Sequence, residues 1–236
     1  MAEIDVYCNL PDDKAIDPEG RNISHPRLRA MHLQRVPLLA VLGVTHLSYE
    51  NSESDRLVLR RGQIVVHKGM RATFRKLFEG WLELGYPIEQ AVPISQFPDS
   101  SDAISMAKNN TVAYRPDVIG DADDPLATPS EHYRGTAIDV NPWHNPLINA
   151  DHTIEPREAI GHLPRLGMML RRQVFDVVKY AIDDCDLEWG GDWADPRAGA
   201  GYYGIGPNGQ QRHMVTDTHH FELIPHLAAR FPMPEL

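Results

Sequence analysis

The sequence predicts an α+β fold, a small antiparallel sheet packed by helices, and two observations carry that prediction. Apolar residues recur at helical spacing in two long windows, while the segments between them are short, alternating or broken by glycine and proline. At 236 residues, with 42% hydrophobic content, the chain suits one domain with a sizeable core. Residues 1 to 236 are therefore read as a single domain, with 1–55 an N-terminal extension packing on it.

The elements follow in order. Leu28 to Val44 reads as a helix interrupted at Pro37, since Leu28, Met31, Leu38, Leu39 and Leu42 loosely keep a helical period. Leu57-Val58-Leu59 and Ile64-Val65-Val66 flank Arg61-Gly62 in the manner of two paired strands and a tight turn. Met70, Phe74, Leu77, Phe78, Trp81 and Leu84 then repeat at three and four residues, a helix ended by Gly85 and Pro87, and this stripe is core. Ala91 to Phe97 reads as extended, Asp99 to Ala107 as a short helix capped by an Asp or Ser, and Thr111 to Arg115 as a strand. Leu166 to Asp184 is the second long helix, with Val177, Val178 and Ala181 on its core face. Between Trp193 and Asp217 the chain is too glycine-rich for a helix and too long for a routine connection, so it reads as a functional loop or flap.

Composition narrows the function. A formal charge of -10 argues against sequence-independent binding to nucleic acid, which relies on basic residues neutralising phosphates. The N-terminal stretch has neither a basic start nor an apolar run of signal-peptide length, and no segment approaches the roughly 20 apolar residues of a membrane helix. Synthesis in the cytoplasm is expected, and so is a monomer. Cys8 and Cys185 are too few and too far apart for a disulfide framework or a zinc ribbon.

Two stretches carry chemistry. Ser130 to Asp139, SEHYRGTAID, contains His132 and Asp139, an odd number of residues apart. On one regular strand they would face opposite ways, so the chain must bend between them, and Gly135 stands where the bend is required. In Asp217 to Glu222, DTHHFE, His220 and Glu222 share a strand face and Phe221 turns to the core. Two imidazoles and one carboxylate form a normal ligand set for catalytic zinc, and a further carboxylate, for which Asp217 is placed, is what hydrolysis needs. A lone histidine among twelve would mean little, but the combined spacing is specific.

The pattern Ser-x-His-x-x-Gly-x-Ala-x-Asp followed by Asp-x-x-His-Phe-Glu resembles the zinc peptidases that cut bacterial cell-wall peptides. That family joins D-alanyl-D-alanine carboxypeptidases and dipeptidases with the L-alanyl-D-glutamate endopeptidases of phage lysins. Asn109 to Arg115 (NNTVAYR), Asp139 to Ile148 (DVNPWHNPLI) and Glu188 to Trp193 (EWGGDW) match in the same order, so the resemblance runs from about Arg60 to Glu222.

The resemblance implies zinc held by His132, Asp139 and His220, with His219 the competing ligand, expected on the opposite strand face. It implies Asp217 as general base and Arg115 as the group that binds the scissile carbonyl oxygen. Ser130 and Tyr203 are candidates for substrate contact, while Asp192 and Glu222 are candidates for bracing a ligand histidine. The implied substrate is the stem peptide of bacterial peptidoglycan, reached after release from the cell. The related fold of hedgehog signalling domains supplies the alternative of a zinc-stabilised module that binds peptide or glycan without cutting it. Trp189 and Trp193 read as structural.

Overall fold

The computed structural model describes residues 38–51, 56–98, 101–115, 130–148, 153–161, 173–192, 216–224 and 227. It combines helices with small, mostly antiparallel sheets, an α+β fold. Strand β1 (Leu39–Tyr49) pairs antiparallel with β2 (Leu57–His67) along all eleven residues of each, from Leu39 opposite His67 to Tyr49 opposite Leu57. This corrects two expectations. Leu39 to Val44 is strand, not the end of a helix, because both faces of its first residues are covered. Leu42 and Val44 join Ile64 and Val66 in the main core, while Leu39 and Val41 join Val65 and Tyr114 on the other side. Residues 28–37 lie outside the described residues. Arg61-Gly62 is not a turn: β2 runs straight through it, and Gly62 lies where a Cβ would stand 2.5 Å from the Ala91 carbonyl oxygen.

Helix α1 (Arg71–Glu83) follows and buries Phe74, Leu77, Phe78 and Trp81 on one stripe. It packs on β1 and on α4 (Gln173–Cys185), where the Trp81 indole N–H donates to the Val177 carbonyl at 3.3 Å. Helix α4 is the latter part of the predicted Leu166–Asp184 helix; residues 162–172 lie outside the described residues. The stretch predicted extended from Ala91 to Phe97 is strand only at β3 (Gln90–Ala91), which pairs in parallel with β4 (Asn110–Thr111), and then turns through a 3-10 helix at Ile94–Gln96. Helix α2 (Asp102–Met106) is capped by Ser101, whose hydroxyl accepts the Ile104 N–H at 3.3 Å, as a helix start requires.

A three-stranded antiparallel sheet runs in the order β5 (Ala137–Asp139), β10 (His220–Leu223), β8 (Leu187–Trp189). His220 lies directly opposite Asp139, and Glu222 lies between Ala137 and Glu188. On the other face Phe221 enters the core and meets Trp81 edge to face, ring centroids 5.5 Å apart. Alternation therefore divides β10 into a core-anchored residue and two polar residues that face the site. A second small sheet, β7 (Ile154–Glu155), β6 (Leu147–Ile148), β9 (Thr216–Asp217), places Asp217 opposite Leu147. Among the described residues no helix is long and apolar enough to cross a membrane.

Candidate metal centre

The bend between His132 and Asp139 is a single helical turn, α3 (Glu131–Arg134). Ser130 opens it by accepting the His132 N–H on its hydroxyl at 3.3 Å, and Gly135 closes it in the left-handed region at φ 74°. The chain then enters β5, and this turn-to-strand switch brings two residues of odd spacing to one point. A Cβ on Gly135 would stand 2.6 Å from the His67 backbone nitrogen, itself bonded to the Gly135 carbonyl at 2.9 Å. Gly135→Ala combines a left-handed L-residue with that collision, and should lower stability by about 2 kcal/mol or more, read as an earlier urea midpoint at unchanged slope.

Three donor atoms converge. His132 Nε2, His220 Nδ1 and Asp139 Oδ1 lie pairwise 3.0 Å apart, and all three side chains are buried. Tetrahedral bonds of about 2.0–2.1 Å would separate ligands by about 3.3 Å, a few tenths from what is found. Each imidazole is also fixed from behind. His132 Nδ1–H donates to the Ala113 carbonyl at 2.5 Å, and His220 Nε2–H donates to Glu222 Oε2 at 2.9 Å. His132 Nε2 and His220 Nδ1 are thereby the ring nitrogens turned to Asp139 Oδ1, the arrangement in which an outer carbonyl or carboxylate sets the tautomer of a metal-ligating histidine. Donor set, spacing and orientation all fit a metal ion.

The protonation of this group follows from its neighbours. Burial lowers the His132 pKa, and Arg115 lowers it further against the pull of Asp139. Burial would also lower His220, but its bonds to Asp139 and Glu222 outweigh that and push it up to about 10. For Asp139, burial acts upward, yet the His132 ring and the Arg115 guanidinium hold the carboxyl well below its ordinary range. The metal-free group thus holds one titrating proton, on His220 Nδ1, and a cation must displace it. Zinc uptake should release about one proton, and the affinity should rise about tenfold per pH unit between pH 6 and 8. Isothermal titration in buffers of different ionisation enthalpy checks this; a slope of zero or two contradicts it.

Arg115 is half-buried, its side chain 12% exposed, and its backbone N–H donates to the His132 carbonyl at 3.2 Å. Its Nη1 lies 3.0 Å from Asp139 Oδ2 and 2.6 Å from Asp102 Oδ2. Asp217 stands at the edge of the group, with Oδ1 3.0 Å from His219 Nε2. Gly190 makes room for it, since a Cβ there would lie 2.5 Å from the Asp217 carbonyl oxygen and 3.2 Å from His220 Cβ. Burial would raise the Asp217 pKa, but its pairing with His219 and the nearby His220 lower it, so the carboxylate is ionised.

His219 departs from expectation. It was placed on the strand face opposite the site, but it precedes β10 in a tight turn where strand alternation does not hold. Its Nδ1–H donates to the Asn145 carbonyl at 2.7 Å, and its Nε2 reaches Asp217 and lies 3.8 Å from Asp139 Oδ1. Both ring nitrogens are thus engaged with acceptors. Burial would lower its pKa, but Asp217 and Asp139 push it up to about 9.

Sequence reasoning left Glu222 undecided and missed Asp102, Asn145 and the Ala113 carbonyl. Glu222 had a readable signal, two residues after His220 on the same strand face; the others come from loops and elements far from the motifs. The Trp189 indole N–H donates to the Thr218 carbonyl at 2.9 Å and ties β8 to the turn before β10. Tyr203 and Trp193, the glycine-rich segment to residue 215 and the Asp192 side chain lie outside the described residues.

No curated protein and no solved structure gives a match to the chain. Asp217 and His220 lie beyond the stretch that a family model matches. Residues 126–198, which hold His132, Asp139 and the Glu188-to-Trp193 motif, match a family model described as D-alanyl-D-alanine carboxypeptidase, so over about a third of its length the chain is similar to that peptidase family.

Proposed function

We propose that the chain is a zinc metallopeptidase that hydrolyses a peptide bond in the stem peptide of bacterial peptidoglycan. The observation that supports this most is the meeting of three oriented donors, His132 Nε2, Asp139 Oδ1 and His220 Nδ1, beside the ionised Asp217. Similarity of residues 126–198 to a peptidase family directs the reading to cell-wall peptides.

His132, Asp139 and His220 hold the zinc, and Glu222 and the Ala113 carbonyl keep both imidazoles in the ligating tautomer. Bound zinc supplies Lewis acidity, which makes water more acidic and polarises a carbonyl. Asp217 accepts the proton of the attacking water and later passes it to the amine that leaves when the C–N bond breaks. His219, tied to the Asn145 carbonyl on its other side, holds the Asp217 carboxylate in place. Arg115 has five donor N–H groups, and those not spent on Asp102 and Asp139 donate to the carbonyl oxygen as negative charge develops on it. Ser130, whose hydroxyl caps the His132 turn, and Tyr203 are the proposed substrate contacts.

Digestion of purified peptidoglycan, followed by mass spectrometry of the products, tests the proposal. New D-glutamate amino termini indicate an L-alanyl-D-glutamate endopeptidase, and free D-alanine indicates a carboxypeptidase. Retained wall binding with no new termini replaces the enzyme with a binding module.

A further inference from the structure

The metal site has an electrostatic difficulty that its three donors do not solve. Arg115 carries a permanent positive charge, is largely withdrawn from solvent with 12% of its side chain exposed, and stands 3.0 Å from Oδ2 of the buried Asp139, the carboxylate whose Oδ1 faces His132 and His220. A divalent cation on Oδ1 and the guanidinium on Oδ2 would share one carboxylate. Inside the protein, where screening is weak, that repulsion acts directly against metal binding.

Asp102 answers the difficulty. Its Oδ2 lies 2.6 Å from the same Arg115 Nη1 that approaches Asp139, which gives the guanidinium a counter-charge of its own. The Asp102 carboxylate is not needed to start its helix, because Ser101 already caps α2. Both ends of the pair are fixed. Helix α2 is tied to β4 by the Asn110 amide, which donates to Ser105 Oγ and to the Val92 carbonyl, each at 3.0 Å, and the Arg115 backbone is bonded to His132. The carboxylate is therefore held against the guanidinium by the fold, and does not reach it by chance from a mobile surface.

We infer that Asp102 is a positioning residue of the metal centre: it holds Arg115 and offsets its charge, so that Asp139 keeps its own charge for the metal. The inference rests on the reading that His132, Asp139 and His220 bind zinc, and it needs no assumption about substrate.

The test is a double-mutant cycle on zinc affinity, measured on the full chain by competition with a chromophoric chelator, without peptidoglycan. Asp102→Asn should weaken zinc binding about tenfold, within the range that loss of an outer partner produces, while the melting transition stays close to that of the parent. In an Arg115→Met background the same Asp102→Asn change should move the affinity less than about twofold, because the charge it offsets has gone. Asp102→Ser, equally compatible with a first helical turn, carries the same expectation should Asn fail to fold there. Equal weakening in both backgrounds, or no weakening in either, overturns the inference. The cycle and the digestion of peptidoglycan fail separately. Coupling without hydrolysis sinks only the peptidase reading, hydrolysis without coupling sinks only the role of Asp102, and a parent chain that takes up no zinc overturns both.

Discussion

His132→Ala and His220→Ala each abolish metal binding, and His219→Ala leaves it in place: this is the result expected when purified proteins are compared by elemental analysis. The parent should carry about one zinc per chain. Loss of a directly ligating imidazole should weaken the site by more than the roughly 10- to 100-fold attached to outer partners, enough to leave the two variants essentially metal-free after dialysis. His219 is as buried as the ligands and just as close in sequence, so the contrast depends on orientation. Its Nδ1 is turned to the Asn145 carbonyl and its Nε2 to Asp217, which leaves no lone pair aimed at the group. His220 presents Nδ1 to His132 and Asp139, with Nε2 held by Glu222. An empty His219→Ala protein beside a loaded His220→Ala protein would reverse the assignment.

The meeting of His132, Asp139 and His220 was legible because its geometry follows from short-range rules. Strand alternation alone separates His220 and Glu222 from Phe221, and an odd spacing with a glycine inside it forces the turn that carries His132 back toward Asp139. Helix α1 was legible for the same kind of reason, since Phe74, Leu77, Phe78 and Trp81 fall on one stripe and meet one core.

Elsewhere local rules gave wrong or incomplete answers, each time because a distant partner decided the outcome. Leu39 to Leu42 lacks the period of a half-buried strand because β1 is covered on both faces there, by the main core and by Val65 and Tyr114. Gly62 reads as a turn, yet the space it frees is taken by Ala91, 29 positions later. His219 defeats alternation by a single residue, because β10 begins after it. Protonation was the least legible property. His132, His219 and His220 share an ordinary starting value, but opposed burial and charge drive the first down and the other two up. The meeting of His132, Asp139 and His220 was written in spacing, while the basicity of each ring was written in the fold.

Asp217→Ala should leave fold and zinc intact and reduce hydrolysis of the stem peptide by about 10²- to 10⁴-fold, the usual contribution of a general acid–base group. The fold should survive because Asp217 joins its sheet through the backbone of β9, opposite Leu147, and its carboxylate contributes to no core. Zinc should survive because the three donors are His132, Asp139 and His220, while Asp217 is paired with His219. What disappears is the ionised carboxylate, the group proposed to accept a proton from water and return it to the leaving amine. Asp217→Asn is the sharper companion: the amide keeps the size of the side chain and still offers His219 an oxygen, but it cannot serve as a base at neutral pH. Both variants should therefore lose turnover alike, with zinc content measured on the same samples as the control. Should either cleave peptidoglycan as fast as the parent while fully loaded, the proton is handled elsewhere, and Asp217 is reduced to an ion-pair partner that holds His219 in the turn before β10.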